Sequence, residues 1–340
     1  MRSTTPSPDV RAVRPVTSDP EAGQQQALQA GIRSPYVWLI AAPLLWSGNM
    51  VFGKVLAEAV PPITLSGVRW AVSAVLLAVA GWYSGGLSWP KKEAWGPIAA
   101  MAVTGVAIFT PLVYASLHAI GTVEAALIQS STPVFALLLA RLIAGEDPGW
   151  PQAGGALLTV LGVAAIVSHG ELSRLVSWRW GEGDLLMLLA AFLWAAYTVA
   201  ARQAAAHTSA LSATFHAAWL GLLMLLPGTA WELLRGSGLH LTPAAWAGVA
   251  YVSVFPSAIA FLAWNYGVSR VGAGRASIFN NLLPLFTAVW AVFLLGEGLS
   301  WAEAIGGLLI AGGVSLGTLK PRSRRLISSA SRVGGDSAGA

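Results

Sequence analysis

The string PVFALLLARLIAGEDPGW at residues 133–150 returns at 284–301 as PLFTAVWAVFLLGEGLSW, and no other feature limits the possible folds so severely. At an offset of 151, Ser131 to Val163 matches Leu282 to Val314 at 12 of 33 positions. The matches include Pro133 with Pro284, Phe135 with Phe286, Gly145-Glu146 with Gly296-Glu297, Trp150 with Trp301, Gly155 with Gly306 and Gly162 with Gly313. Apolar segments share Leu and Ala by chance, but not Pro, Gly-Glu, Trp and two Gly in register. The chain carries an internal duplication, so its fold is one that a half-length unit builds twice.

The medium follows from composition. Hydrophobic residues make up 55% of the chain and charged residues 10%, far below the roughly 25% charged of soluble domains. A bilayer crossing needs about 20 predominantly apolar helical residues, because backbone groups have no water to pair with. Ten such runs are present, at 36–58, 62–83, 94–117, 122–143, 150–168, 183–204, 209–231, 243–268, 273–295 and 301–319. Breaks at Pro61-Pro62, Gly85-Gly86, Gly121, Asp147-Pro148-Gly149, Gly236-Ser237-Gly238 and Gly272 separate many of them. The fold class is therefore an all-α polytopic integral membrane protein in contact with the lipid bilayer. Residues 1–35, rich in Ser, Thr, Pro and Gln without an apolar core, read as a disordered tail rather than a cleaved signal. Residues 320–340 read as a basic disordered tail.

Lys and Arg fix an expected orientation. With the N-terminus cytoplasmic, 15 of them fall in inside segments and only Arg174, Arg179 and Arg235 in outside loops. Both termini are then cytoplasmic. Because the duplication sets run four against run nine and run five against run ten, each half has five crossings and the second enters upside down. The predicted organisation is a five-helix repeat at 36–168, an extracytoplasmic loop at 169–182 and an inverted repeat at 183–319. Two inverted halves that exchange conformations around a midplane site are a device for alternating access. Transport is the function this architecture predicts.

The motif LLWSGN…FGK in run one, the spacing of Pro62 to Arg69 and the duplicated P-x-F…GE…W…GG…G resemble the drug/metabolite transporter superfamily, specifically its ten-helix EamA branch. The resemblance covers 36–319. It implies a multi-pass inner-membrane exporter with a central cavity and with runs five and ten at the periphery. Within that branch the chain is similar to the aromatic amino acid exporters of the YddG type.

Polar and aromatic residues inside the runs are the substrate-binding candidates, since each costs free energy in lipid unless it faces the bundle interior. Trp46 and Asn49 share a helical face in run one with Gly53, and Trp194 and Tyr197 repeat it in run six at an offset of 148. Tyr114 and His118 stand four apart in run three and match Asn265 and Ser269 of run eight. Gln129 and Asn280 each precede a proline by four residues, so Pro133 and Pro284 free their carbonyls and are the candidate hinges. Trp264 lies deep in run eight. For Arg69 a structural ion pair and a substrate contact both stay open. Trp89, Trp95, Trp150, Trp178, Trp180 and Trp301 read as interfacial belts, and Glu146 and Glu297 as caps or loop ion pairs.

Several classes are excluded. The chain has no Cys, hence no disulfide framework and no thiolate metal site. Charge lies between apolar runs and in the tails, which argues against nucleic acid. No phosphate loop, zinc-protease motif or nucleophile elbow is present, and neither a cofactor nor a metal is expected. No carboxylate sits mid-run, so proton coupling falls to His118 or is absent. The expected activity is export of neutral or aromatic amino acids by a monomer; a broad drug or metabolite exporter is the alternative, and a scaffold or intramembrane enzyme the competing class.

Overall fold

The computed structural model describes residues 34–168, 170–171, 173, 176, 180–235, 242–295 and 301–319. The expected tails, apart from Ser34 and Pro35, and the Gly296-Glu297 pair lie outside the described residues, as do Trp178 and half of the 169–182 loop. Among the described residues every regular element is helical and none is a strand.

Among the described residues the helical segments can be followed as ten rods. Proline in the first turn opens α1 (Pro35–Ala59), α2 (Pro62–Ser84) and α5 (Trp150–Val167), where the missing N–H is one of the orphan donors anyway. Rod α3 runs Lys92–Ala119 and α4 is split into Thr122–Gln129 and Thr132–Ile143. After α6 (Glu182–Ala204) and α7 (Ala210–Leu234), α8 runs in three segments, Pro243–Val252, Ser253–Ile259 and Ala260–Val271. Rod α9 joins Ala273–Ser277, a 3-10 turn Ile278–Asn281 and Leu282–Leu295, and α10 is Trp301–Thr318. Six of these, α2, α3, α4, α6, α7 and α8, contain helices long and apolar enough to cross a membrane; α5 and α10 carry shorter apolar helices.

Two features follow the duplication. The central segments of α3 and α8, Ala102–Ile108 and Ser253–Ile259, are both π-helical and differ by the same 151. Rods α4 and α9 both lose regular helix just before Pro133 and Pro284, at Ser130-Ser131 and at Ile278–Asn281. The packing is likewise reciprocal: α1 packs on α8 and α9, as α6 packs on α3 and α4, while α2 packs on α7 and α5 on α10.

The α5/α10 contact shows why glycine recurs there. A Cβ on Gly155 would stand 2.5 Å from the Gly313 carbonyl oxygen, and one on Gly162 would stand 2.7 Å from that of Gly306. The reverse distances are 2.7 Å for Gly313 to Gly155 and 2.6 Å for Gly306 to Gly162. Small residues let backbones touch where lipid supplies no hydrophobic drive for association, and the matched glycines meet crosswise, so the two helices run antiparallel.

Candidate functional site

Where α1, α6 and α8 converge, four rings form a buried aromatic centre. Trp46 and Trp194 meet edge to face at 5.0 Å, Trp264 lies 5.4 Å from Trp46, and Phe261 lies 5.2 Å from Trp194. Tyr197 stacks on Trp194 at 4.8 Å. Such edge-to-face and offset pairs suit the quadrupoles of the rings. The π segment of α8 contributes directly, since Trp46 Nε1 donates to the Pro256 carbonyl at 2.8 Å. π-helical turns leave main-chain carbonyls out of register, which is how they recur at functional sites.

Two polar triads flank this centre at corresponding places in the halves. Arg69 of α2 donates to the Tyr114 hydroxyl at 2.6 Å, and that hydroxyl donates to Asn49 Oδ1 at 3.2 Å. In the second half, Asn265 Nδ2 donates to the Tyr197 hydroxyl at 2.6 Å and to Thr214 Oγ1 at 2.8 Å. Tyr114 and Asn265 share the 151 register, and Asn49 and Tyr197 the 148 register. The roles of tyrosine and amide are exchanged between the halves.

A small cavity of about 30 Å³ lies beside the aromatic centre. It is walled by Trp46, Asn49, Arg69, Gln129, Trp194 and Asn280, and by Phe109, Thr110, Val113, Phe261 and Leu283, from seven of the ten rods. That space holds about two waters, whereas small-molecule sites enclose roughly 300–1,000 Å³. Helices must separate before a substrate fits. Two polar atoms of wall residues, Gln129 Oε1 and Trp194 Nε1, are buried with no hydrogen-bond partner, a cost of about 1–3 kcal/mol each unless a ligand or water pairs with them.

Of the ten sequence-derived candidates, Trp46, Asn49, Gln129, Trp194 and Asn280 line the cavity. Tyr114, Tyr197, Trp264 and Asn265 form the layer that holds these residues. His118 is elsewhere: it is exposed at the end of α3, apart from the cavity. Its spacing from Tyr114 fixes a helix face but not a depth. Arg69, left open between an ion pair and a substrate contact, also lines it; Phe109, Thr110, Val113, Phe261 and Leu283 were not among the candidates, although Thr110 and Phe261 stand four residues before Tyr114 and Asn265 and so share their faces. Pro133 and Pro284 sit in the first turn of their final segments, so the helix break precedes each proline and neither bends a continuous helix. Among the belt candidates Trp89, Trp150, Trp180 and Trp301 are exposed, while Trp95 is half-buried against His216.

At the bundle end that carries Lys92, Arg141 and Arg202, the Gly-Glu pair acquires a role. Gly145 takes φ +63 after α4, and the Glu146 N–H then bonds the Ala140 carbonyl at 3.0 Å, a glycine-terminated helix end. This turn aims the Glu146 carboxylate at the start of α9, where it accepts from Ala273 N at 2.9 Å and Gly274 N at 3.1 Å. Arg202 of α6 lies 3.6 Å from the same carboxylate and donates to the Ser269 carbonyl of α8 at 2.6 Å. Glu146 and Arg202 together thus tie α4, α6, α8 and α9. At this same end a groove of about 990 Å³ opens between α1, α2, α8 and the α6/α7 turn, walled largely by apolar residues such as Leu77, Leu211, Ala258 and Leu262, with Arg270 at its rim. It shares no wall residue with the small cavity. α8 separates the two, with Phe261 on one side and Leu262 on the other.

Comparison with known proteins places this architecture. The model of the EamA-like transporter family matches residues 33–168 and again 181–319. An uncharacterized transporter of Archaeoglobus fulgidus is 29% identical over 287 residues, covering 84% of this chain and 97% of its own. A probable terminal-alkyne amino-acid exporter of Streptantibioticus cattleyicolor is 30% identical, covering 86% of this chain and 96% of its own. The aromatic amino acid exporter YddG of Ancylobacter novellus is 24% identical over 83% of this chain and 96% of its own. One crystal structure superposes with a TM-score of 0.69 at 22% identity, covering 84% of this chain and 96% of that one, which shows a shared fold.

Proposed function

We propose, from the premise that this chain belongs to the EamA-like transporter family and is therefore a membrane transporter and not an enzyme, that it exports neutral amino acids by alternating access. Aromatic and large apolar side chains are the preferred class. The observation that carries this reading is the wall of the small cavity: rings from Trp46, Trp194, Phe109 and Phe261 beside the amides of Asn49, Gln129 and Asn280, with no carboxylate. Rings suit an apolar side chain and amides suit the ends of a zwitterion. Two of the relatives are named as amino-acid exporters, which supports the same class.

The mechanism we infer has ten crossings as two inverted five-helix halves, in the inner membrane, acting as a monomer with both termini cytoplasmic. Support comes from the π segments and helix breaks repeated at offset 151, from the reciprocal packing of the rods, and from the 15 to 3 bias of Lys and Arg. On this reading the basic end is cytoplasmic and the Glu146 clamp closes it. The groove of about 990 Å³ favours a second reading, a broad exporter that admits apolar molecules beside α8. Purified protein in liposomes separates the two. Saturable transport of phenylalanine or tryptophan, competed by other large neutral amino acids, is the expected result. Transport of varied apolar drugs with none of any amino acid favours the broad exporter instead.

A further inference from the structure

Arg69 is a charge without a counter-charge. It is only 4% exposed, it lines the small cavity, and among the described residues no carboxylate pairs with it. Its hydrogen-bond partners among the described residues are neutral: Nε donates to Ser257 Oγ at 2.7 Å and Nη1 to the Tyr114 hydroxyl at 2.6 Å. The Tyr114 and Trp70 rings lie 5.7 and 5.9 Å from the guanidinium carbon. Two of the five guanidinium N–H donors are used in this way. A buried cation in a membrane protein is costly unless something neutralises it. Among the described residues, then, Arg69 has no partner for the structural ion pair that the sequence left open.

We infer that Arg69 is the carboxylate-recognising residue of the transport site, so that the substrates are carboxylates and decarboxylated or amidated analogues are rejected. This rests on reading the small cavity as the substrate site. Arg69 is the one cation among the residues that wall it, which suits a monoanion; a phosphate dianion would leave net negative charge buried. A guanidinium fork presents paired donors to the two oxygens of a carboxylate. The unpartnered atoms in the same wall complete the pattern, with Trp194 Nε1 as a further donor and Gln129 Oε1 as an acceptor for a ligand N–H. Unpaired buried donors and acceptors are also how a site rejects analogues that lack the matching group. The second half supplies no equivalent cation: its triad ends on Thr214, a hydroxyl. Substrate therefore binds in one polarity, with its carboxylate toward α2.

The test uses thermal stabilisation of the purified full chain by three matched probes: phenylalanine, phenylalaninamide and 3-phenylpropionate, with leucine, leucinamide and 4-methylpentanoate as an aliphatic set. The inference expects acids to stabilise the wild-type protein and amides to do so about tenfold more weakly or not at all. Arg69→Gln should abolish the preference, and Arg69→Lys should keep it in weakened form. Gln129→Leu should bring phenylalanine down to the level of 3-phenylpropionate. Amides matching acids, an Arg69→Gln protein that keeps the preference, or no stabilisation by any acid would each overturn the inference; the wild-type contrast decides it even if a variant fails to fold. Binding of 3-phenylpropionate without phenylalanine would sink the amino-acid reading while leaving Arg69 in its role. Transport of phenylalanine and its amide at equal rates would do the reverse.

Discussion

Replacing Glu146 with Ala removes the carboxylate that joins α4, α6 and α9 at the basic end. The magnitude follows from its contacts. Two backbone donors at the start of α9, Ala273 N and Gly274 N, lose their acceptor, and loss of such a helix-starting cap costs about 1 kcal/mol within a range of roughly 0.5–2. The pair with Arg202 is partly exposed, at 41% and 23% of the two side chains, so solvent screening reduces it to about 0.5 kcal/mol or less. Arg202 also keeps its bond to the Ser269 carbonyl. The sum, about 1–2 kcal/mol, moves a two-state equilibrium by roughly 5- to 30-fold. Because the chain has no native Cys, a single Val113→Cys in the cavity wall reports on access to the site. Its reaction with a membrane-impermeant maleimide should accelerate from the basic end by that factor in the Glu146→Ala background, and less in Glu146→Gln, which keeps an acceptor. An unchanged rate, or acceleration from the opposite end, refutes the clamp.

Adding a methyl group at Gly155 should separate α5 from α10, because the Gly313 carbonyl stands 2.5 Å from its position; Gly155→Ala is expected to cost about 1–3 kcal/mol in thermal unfolding, and Gly121→Ala, with open space around it, almost nothing. Asn265→Ala leaves the Tyr197 hydroxyl and Thr214 without their shared donor, so melting of the purified protein should drop by the equivalent of about 1–3 kcal/mol. His118→Ala should leave transport and its pH dependence unaltered, because that side chain is exposed at the end of α3; a lost pH response in proteoliposomes would contradict this. Pro133→Ala and Pro284→Ala should fold with little loss in thermal unfolding, each proline standing in a first helical turn after the helix has already broken.

The duplicated motif marked glycines in α5 and α10 that need a close approach to explain them, but not that these two helices meet each other. It also paired Tyr114 with Asn265, and the structure finds both at the apex of equivalent hydrogen-bonded triads. What the residues did not disclose was depth and local winding. Periodicity gives a helix face, and so His118 was grouped with Tyr114 although one is exposed and the other fully buried. Periodicity also gave no sign of the π segments: in the first, Gly105 lies directly beneath the Tyr197 ring and Val106 lies against Gly221, contacts made by other helices, and the second contains Pro256. A proline reads as a kink in an apolar run. Only the packing shows that the helices have already ended at Ser130-Ser131 and at Ile278–Asn281. The partners of Arg69 are a hydroxyl and a phenol from α8 and α3, types too common to single out from sequence.

Counterflow tests the central claim most directly, that one enclosed cavity serves both membrane faces in turn. Proteoliposomes loaded with unlabelled phenylalanine and diluted into a trace of labelled phenylalanine should accumulate label transiently above its equilibrium level, and Arg69→Gln vesicles should not. Label that only equilibrates, at the rate of protein-free vesicles and for every large neutral amino acid tried, would contradict the account.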